Sequence, residues 1–259
     1  MTRFIAALLA TTALAAPAIA ETALGLTGDR TLLMIDTATA TVTSTVEVQG
    51  VTRLLGIDYR AGNMTVIGVT DDQAIVQINP MTGATTELSK MSAMLPVIEG
   101  TPVIVDVNPA ADRLRFMSGT VNHRINMDTG EATVDGPLNW EAGDANAMAT
   151  PMVAATAYIN NLGKPDATAM YNIDTGLSAL LQQTKPNDGT NKTIGSLGVA
   201  LTGPVAFDVG TGTDGTNTAW LAAMGGLHTV DLTNGAVTAS WTITGTDQPI
   251  RDLTILPAM

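Results

Sequence analysis

Four stretches decide the reading: RTLLMIDTATATVTST (30–45), AIVQINPMTGATTELS (74–89), NHRINMDTGEATVDG (122–136) and GLHTVDLTNGAVTASW (226–241). Each is a short apolar strand, a turn led by Asp or Asn, and a Thr-rich strand. Runs of Val, Ile, Leu and Thr broken by Gly, Pro, Asn and Asp are the mark of hairpins, not helices. A looser fifth copy is SALLQQTKPNDGTNKTIGSL (178–197). Its turn residue Gly189 matches Ala40, Gly83, Gly130 and Gly235 of the others, and these recur at intervals of about 45 residues, with one of about 59. Four strands in a period of that length is the arithmetic of a propeller blade.

A second unit alternates with the first. RLLGIDYRAGN (53–63), TPVIVDVNPAAD (101–112), TGPVAFDVGTGT (202–213) and QPIRDLTILP (248–257) each carry an Asp in an apolar strand, and TPMVAATAYINN (150–161) stands in the same place without one. Five copies of each unit predict an all-β, five-bladed β-propeller with four strands per blade. A six-bladed ring with one degenerate blade and a two-sheet sandwich are the alternatives. The last copy of the second unit has no first unit after it, and the first copy of the first unit has no second unit before it. Pairing of the N- and C-terminal strands is therefore expected to complete a blade and close the ring, which removes free sheet edges. The long interval holds GPLNWEAGDANAMAT (136–150), read as a loop, and Asp174-Thr175-Gly176 is an alternative turn for that blade.

Composition narrows the function. The 259 residues hold 12 Lys and Arg against 24 Asp and Glu, a net charge of −12. Such a chain lacks the clustered cations that neutralise phosphates, so no nucleic-acid partner is expected. With no cysteine, disulfides, zinc–thiolate sites, Fe–S clusters and cysteine nucleophiles are excluded. Residues 1–20, MTRFIAALLATTALAAPAIA, give a basic n-region at Arg3, an apolar run from Phe4 to Ala16, and Ala18-Ile19-Ala20 as a small-x-small cleavage site. This reads as a signal peptide, too short for a membrane span. The expected division is a signal peptide at 1–20 and a propeller domain at 21–259, with cleavage after Ala20 and a periplasmic or secreted location. No membrane span is expected elsewhere.

Several segments carry a resemblance: LTGDRTLLMID (26–36), LLGIDYR (54–60), VDVNPAADRLRFMS (105–118), NHRINMDTGEATVDG (122–136) and PNDGTNKTIGSLGV (186–199). Together they resemble a bacterial secreted family, the domain-of-unknown-function family numbered forty-three ninety-four. The resemblance implies export and a propeller-like fold. It brings no activity and no catalytic residues to carry over.

Two constellations carry candidate chemistry. Asp58, Asp106, Asp208 and Asp252 recur in the strands expected to be innermost. A ring of carboxylates around a channel suits Ca²⁺, a hard cation that takes six to eight oxygens. The plainer role is capping of each strand's own turn by accepting backbone N–H bonds. Asp58, Asp106 and Asp208 are expected to lie near one rim at similar depth, with a metal or the arginines of the blade that Asp106 opens among them. Arg113, Arg115 and Arg124, with Asn122 and Asn126, form the densest basic cluster. Arg113 and Arg115 are two apart, so on a strand they face one side and suit bidentate binding of a carboxylate or phosphate. The competing role is internal pairing with Asp112 and Asp128.

Other motifs read as structural. Gly210-x-Gly212-x-x-Gly215 matches a dinucleotide fingerprint, but TNTAWLAAMGG (216–226) after it reads as a strand where that fingerprint needs a helix. His123 and His228 sit in equivalent strands without metal-ligand spacing. Trp140, Trp220 and Trp241 read as blade packing, since three each of Trp, Tyr and Phe are few for a sugar-binding surface. The functional expectation is an exported, non-catalytic binding or scaffold module for a small molecule or a protein, with no cofactor. The alternative is a Ca²⁺-dependent hydrolase or lactonase of the propeller type, which rests on fold analogy.

Overall fold

The computed structural model describes residues 21–257. The expected signal peptide and its cleavage point lie outside the described residues. Among the described residues, twenty-one strands form five sheets arranged as blades. The first blade contains β1 (Thr22–Thr27), β2 (Thr31–Asp36) and β3 (Thr41–Glu47), and the second β4 (Leu54–Arg60), β5 (Thr65–Thr70), β6 (Ala74–Ile78) and β7 (Thr85–Lys90). The third is β8 (Val103–Asn108), β9 (Arg113–Ser118), β10 (Val121–Ile125) and β11 (Ala132–Val134). The fourth holds β12 (Asn139–Trp140), β13 (Val153–Tyr158), β14 (Met170–Asp174), β15 (Ala179–Lys185) and β16 (Thr190–Ser196). The fifth is β17 (Val205–Thr211), β18 (Asn217–Ala223), β19 (Gly226–Val230) and β20 (Val237–Thr242), after which β21 (Asp252–Leu256) returns to the first blade.

The expected closure is present. β21 pairs antiparallel with β1, from Thr22 opposite Leu256 to Leu26 opposite Asp252. The first blade is thus ordered β21-β1-β2-β3. The inner strands β21, β4, β8, β13 and β17 pack against one another around the axis. They are buried almost throughout, whereas outer strands such as β3 and β20 alternate exposed and half-buried residues. That gradient explains the sequence: inner strands read as apolar runs and outer strands as Thr-rich alternation.

The core is divided among the blade interfaces. Five apolar clusters are found, one between each pair of neighbours. Leu33 and Ile35 of the first blade meet Trp220 and Leu227 of the fifth. Leu24 and Leu32 of the first meet Ile57 and Val66 of the second. An open stack of five blades has four such interfaces, so the fifth cluster is the signature of a closed ring.

The turn residues read as equivalent do occupy equivalent turns before the outermost strands. Ala40, Gly83, Gly130, Gly189 and Gly235 all have positive φ. At Gly130 the reason is close approach to the preceding blade: a Cβ there would lie 1.8 Å from the Lys90 carbonyl oxygen, and the Ser92 N–H donates to the Gly130 carbonyl at 2.8 Å. Gly83 stands against Glu47 in the same way. Asp174-Thr175-Gly176 instead begins the preceding turn of its blade, between β14 and β15. Residues 136–150 form a loop of turns and irregular backbone, as expected, except that β12 adds a two-residue parallel strand outside β16. The glycine fingerprint at 210–215 is a β17–β18 hairpin turn with no helix after it.

Closure by β21 has a direct test. Ile250, Leu253 and Ile255 are buried, and each is worth about 1.5–3 kcal/mol on burial. Deleting residues 249–259 is expected to lower the stability read by urea denaturation by several kcal/mol and to leave β1 as an unpaired edge. An unchanged denaturation midpoint would show that the strand does not hold the ring.

Candidate functional site

An inner strand has no further strand on its channel side, so its outward N–H groups need other partners. The aspartates supply them across the blade boundary. Asp58 Oδ2 accepts the Val107 N–H of the next inner strand at 2.6 Å, and Asp208 Oδ2 accepts the Ile255 N–H at 2.6 Å. The Tyr158 N–H faces Asp106 and partly offsets the rise of its pKa. The Tyr59 N–H donates to Thr254 Oγ1 at 3.0 Å, and that hydroxyl donates to Asp58 Oδ1 at 2.7 Å. These bonds show that Asp58, Asp106, Ala157, Asp208 and Thr254 hold one equivalent place in the five inner strands. Where Ala157 offers no acceptor, the Val209 N–H turns to Asp208 Oδ1 of its own strand. The expected role of turn capping is therefore corrected: the main partner is the neighbouring blade.

Asp252 belongs to a different layer. It lies two residues before Thr254 and accepts the Ile57 N–H at 2.7 Å. Gly56 makes room for it, since a Cβ there would lie 2.6 Å from Asp252 Oδ2.

Asp58, Asp106 and Asp208 do share one depth, as expected. One carboxylate oxygen from each lies within 4.8 Å of the others, and all three residues are buried. These are the residues able to hold a cation. Burial raises all four inner carboxyls. Asp208 reaches about 6 and Asp252 about 7. Asp58 is raised well above the usual range by burial and then by the charge of Asp208. Asp106 is raised by burial and then by Asp58, Asp208 and Asp252. The arginines expected among them are elsewhere.

Those arginines line the rim where the inner strands end, between the third and fourth blades. Register puts Arg115 opposite Asp106 and Arg124 opposite Arg115, so the row shares one face. Arg115 is almost fully buried. It donates from Nη1 to Asp135 Oδ2 at 2.6 Å and to Asn122 Oδ1 at 2.9 Å, from Nε to the Tyr158 hydroxyl at 3.3 Å, and from Nη2 to Asn187 Oδ1 at 3.3 Å. Arg124 grips the Asp135 carboxylate with Nε and Nη2. Asp112 and Asp128 form no ion pair with this cluster, although the Arg60 bond and, less, the charge of Arg113 hold the Asp128 carboxyl below its usual range. Both bind Arg60 at the end of β4, at 2.6 and 2.7 Å, which corrects the expected pairing. Arg113 donates only to the Asp112 carbonyl and has no carboxylate partner among the described residues.

A cavity of about 120 Å³ opens among Asn108, Ala111, Arg113, Arg115, Arg124, Tyr158 and Asn187. Sequence reasoning had not singled out Asp135, Tyr158 or Asn187. Asp135 closes the quoted 122–136 repeat and Asn187 lies in the quoted 186–199 segment, but nothing local links either to Arg115. His123 is buried, its Nδ1 is unpartnered, and burial lowers its pKa. His228 bonds the Ser240 hydroxyl. Among the described residues, no helix is long and apolar enough to cross a membrane.

The raised inner carboxyls fix a pH dependence. Unfolded, they ionise near pH 4; folded, Asp208 and Asp252 hold their protons to about 6 and 7. The folded state thus binds more protons, and their contribution, present below pH 4, is lost as pH rises through 6–7. Neutral buried His123 acts in the opposite sense, so the comparison is with Asp208→Asn. In urea titrations from pH 5 to 8 with chelator, the parent is expected to lose about 1–2 kcal/mol relative to that variant. Equal slopes would contradict the shifts. Added Ca²⁺ is expected to leave the parent unchanged; stabilisation that Asp58→Asn abolishes would instead assign the three carboxylates to an ion.

Comparisons place this geometry among known folds. A Bacteroides thetaiotaomicron protein of unknown function matches with a TM-score of 0.51 and 15% identity, over 94% of this chain and 68% of that one. An auxiliary nutrient binding protein from Bacteroides ovatus matches with a TM-score of 0.50 and 10% identity, over 88% of this chain, which spans 57% of that protein. A luciferin-regenerating enzyme matches with a TM-score of 0.50 and 13% identity, over 90% and 79%. At these identities the likeness concerns the fold alone. Among curated proteins there is no match. The family model described as Domain of unknown function (DUF4394) matches residues 31–254, nearly the whole ring, and the chain belongs to that family.

Proposed function

We propose that the protein is an exported, non-catalytic binding module that holds a carboxylate- or phosphate-bearing small molecule at the rim between its third and fourth blades. The observation that carries this reading is the charge balance of the cavity: Arg113, Arg115 and Arg124 face it, and among the described residues Asp135 is the one carboxylate ion-paired with them. Guanidinium groups in a fixed fork match a carboxylate or phosphate bidentately. The Tyr158 phenol, held up in pKa by burial, stays an O–H at the cavity wall. A cavity of about 120 Å³ lies below the usual span of about 300–1,000 Å³ for whole-ligand sites. It therefore takes the anionic group of a ligand whose remainder extends over the rim.

Phosphate, citrate and acetate serve as probes in isothermal titration at low ionic strength. At least one is expected to bind, with affinity falling as salt rises. Arg113→Ala removes the guanidinium that lacks a carboxylate partner. It is expected to weaken binding about tenfold or more, near 1.4 kcal/mol, without moving the denaturation midpoint. Arg113→Lys is expected to recover only part, because the fork is lost. Absence of anion binding, or affinity indifferent to Arg113, would overturn the reading.

A further inference from the structure

A larger depression lies on the same rim, where the fifth blade meets the first. It encloses about 530 Å³, within the range of small-molecule sites. Trp220 and Trp241 form its apolar wall, with ring centroids 6.0 Å apart and planes inclined by 43°. The Trp220 Nε1–H donates to Glu21 Oε2 at 2.8 Å, and this fixes the ring from its edge. Asp214 stands in the β17–β18 turn, with Oδ1 accepting the Thr216 N–H at 2.9 Å. Thr218 and Thr229 add hydroxyls to the wall. None of the described residues lining this depression is a lysine, arginine or histidine.

We propose that this depression binds a neutral polyhydroxylated ring, a sugar residue, stacked against the Trp241 indole and hydrogen-bonded to Asp214. The pattern matches the ligand face by face. A pyranose ring presents C–H groups on one face and hydroxyls around its edge. Indole covers the first, and carboxylates and threonine hydroxyls answer the second. An anionic ligand would meet the carboxylates of Glu21 and Asp214 here and, among the described lining side chains, no cation. An alkylammonium ion suits a cage of aromatic faces, but this site offers two indoles side by side and a lining of hydroxyls, with more volume than such a headgroup fills. The site is separate from the arginine cavity. All three tryptophans pack in or against blade interfaces, as expected, and Trp241, half-buried, also faces the depression.

The purified protein is titrated with soluble malto-, cello- and xylo-oligosaccharides, and with tetramethylammonium chloride as the cation probe. Calorimetry and tryptophan emission are read together. At least one saccharide is expected to bind with Kd at or below about 1 mM and to shift the emission. Trp241→Ala is expected to weaken it about tenfold or more, and Trp241→Phe to keep part of the affinity. Asp214→Asn, in an exposed turn, supplies the same test if Trp241→Ala fails to fold. Arg113→Ala is expected to leave saccharide affinity unchanged while lowering anion affinity. The proposal is overturned if no saccharide binds at that level, if tetramethylammonium alone binds, or if binding ignores both Trp241 and Asp214.

Discussion

An inner propeller strand is an edge strand facing a channel, and its outward N–H groups have no sheet partner. The cost of leaving such a group unpaired is about 1–3 kcal/mol, and five blades repeat the problem. This protein answers it with side chains from the preceding blade. Asp58 serves Val107, Asp208 serves Ile255, Asp252 serves Ile57, and Thr254 serves Tyr59. Each bond crosses a blade boundary, so it satisfies an edge and ties two blades together at once. The apolar clusters between blades supply non-directional cohesion, while these bonds fix register along the axis.

That solution has an electrostatic consequence. Carboxylates placed to reach neighbouring strands converge on the axis, where burial and mutual repulsion disfavour charge. The raised pKa values are thus a consequence of ring geometry. A carboxyl that keeps one proton among several oxygens still accepts N–H bonds with the others. The bonds between blades account for the convergence of the acidic cluster. The rim beyond the inner strands is where side chains are free of this duty, and both candidate binding depressions lie there.

Much of the ring was legible in the sequence because repeats encode it locally. The alternating units, the orphan copies at each end and the turn residues from Ala40 to Gly235 gave the blade number and the closure. The two-residue spacing of Arg113 and Arg115 gave their common face. What was illegible depends on ring order. That Asp58 bonds the strand containing Asp106, or that Arg115 meets Tyr158 and Asn187, follows only once the third and fourth blades are set side by side. Asp252 reads as a repeat of Asp58, yet Thr254 holds the equivalent place, because strand register decides depth and the presence of an Asp does not. Asp112 and Asp128 lie near the arginines in sequence, but the approach of β4 gives them to Arg60.

Amide hydrogen exchange in Asp58→Ala tests the central claim most directly. If the carboxylate of one blade holds the edge of the next, the Val107 N–H should lose about 1–3 kcal/mol of protection beyond any loss at Phe116, a buried residue of the adjacent strand in the same blade. A Val107 amide that keeps its protection relative to Phe116 would contradict the account.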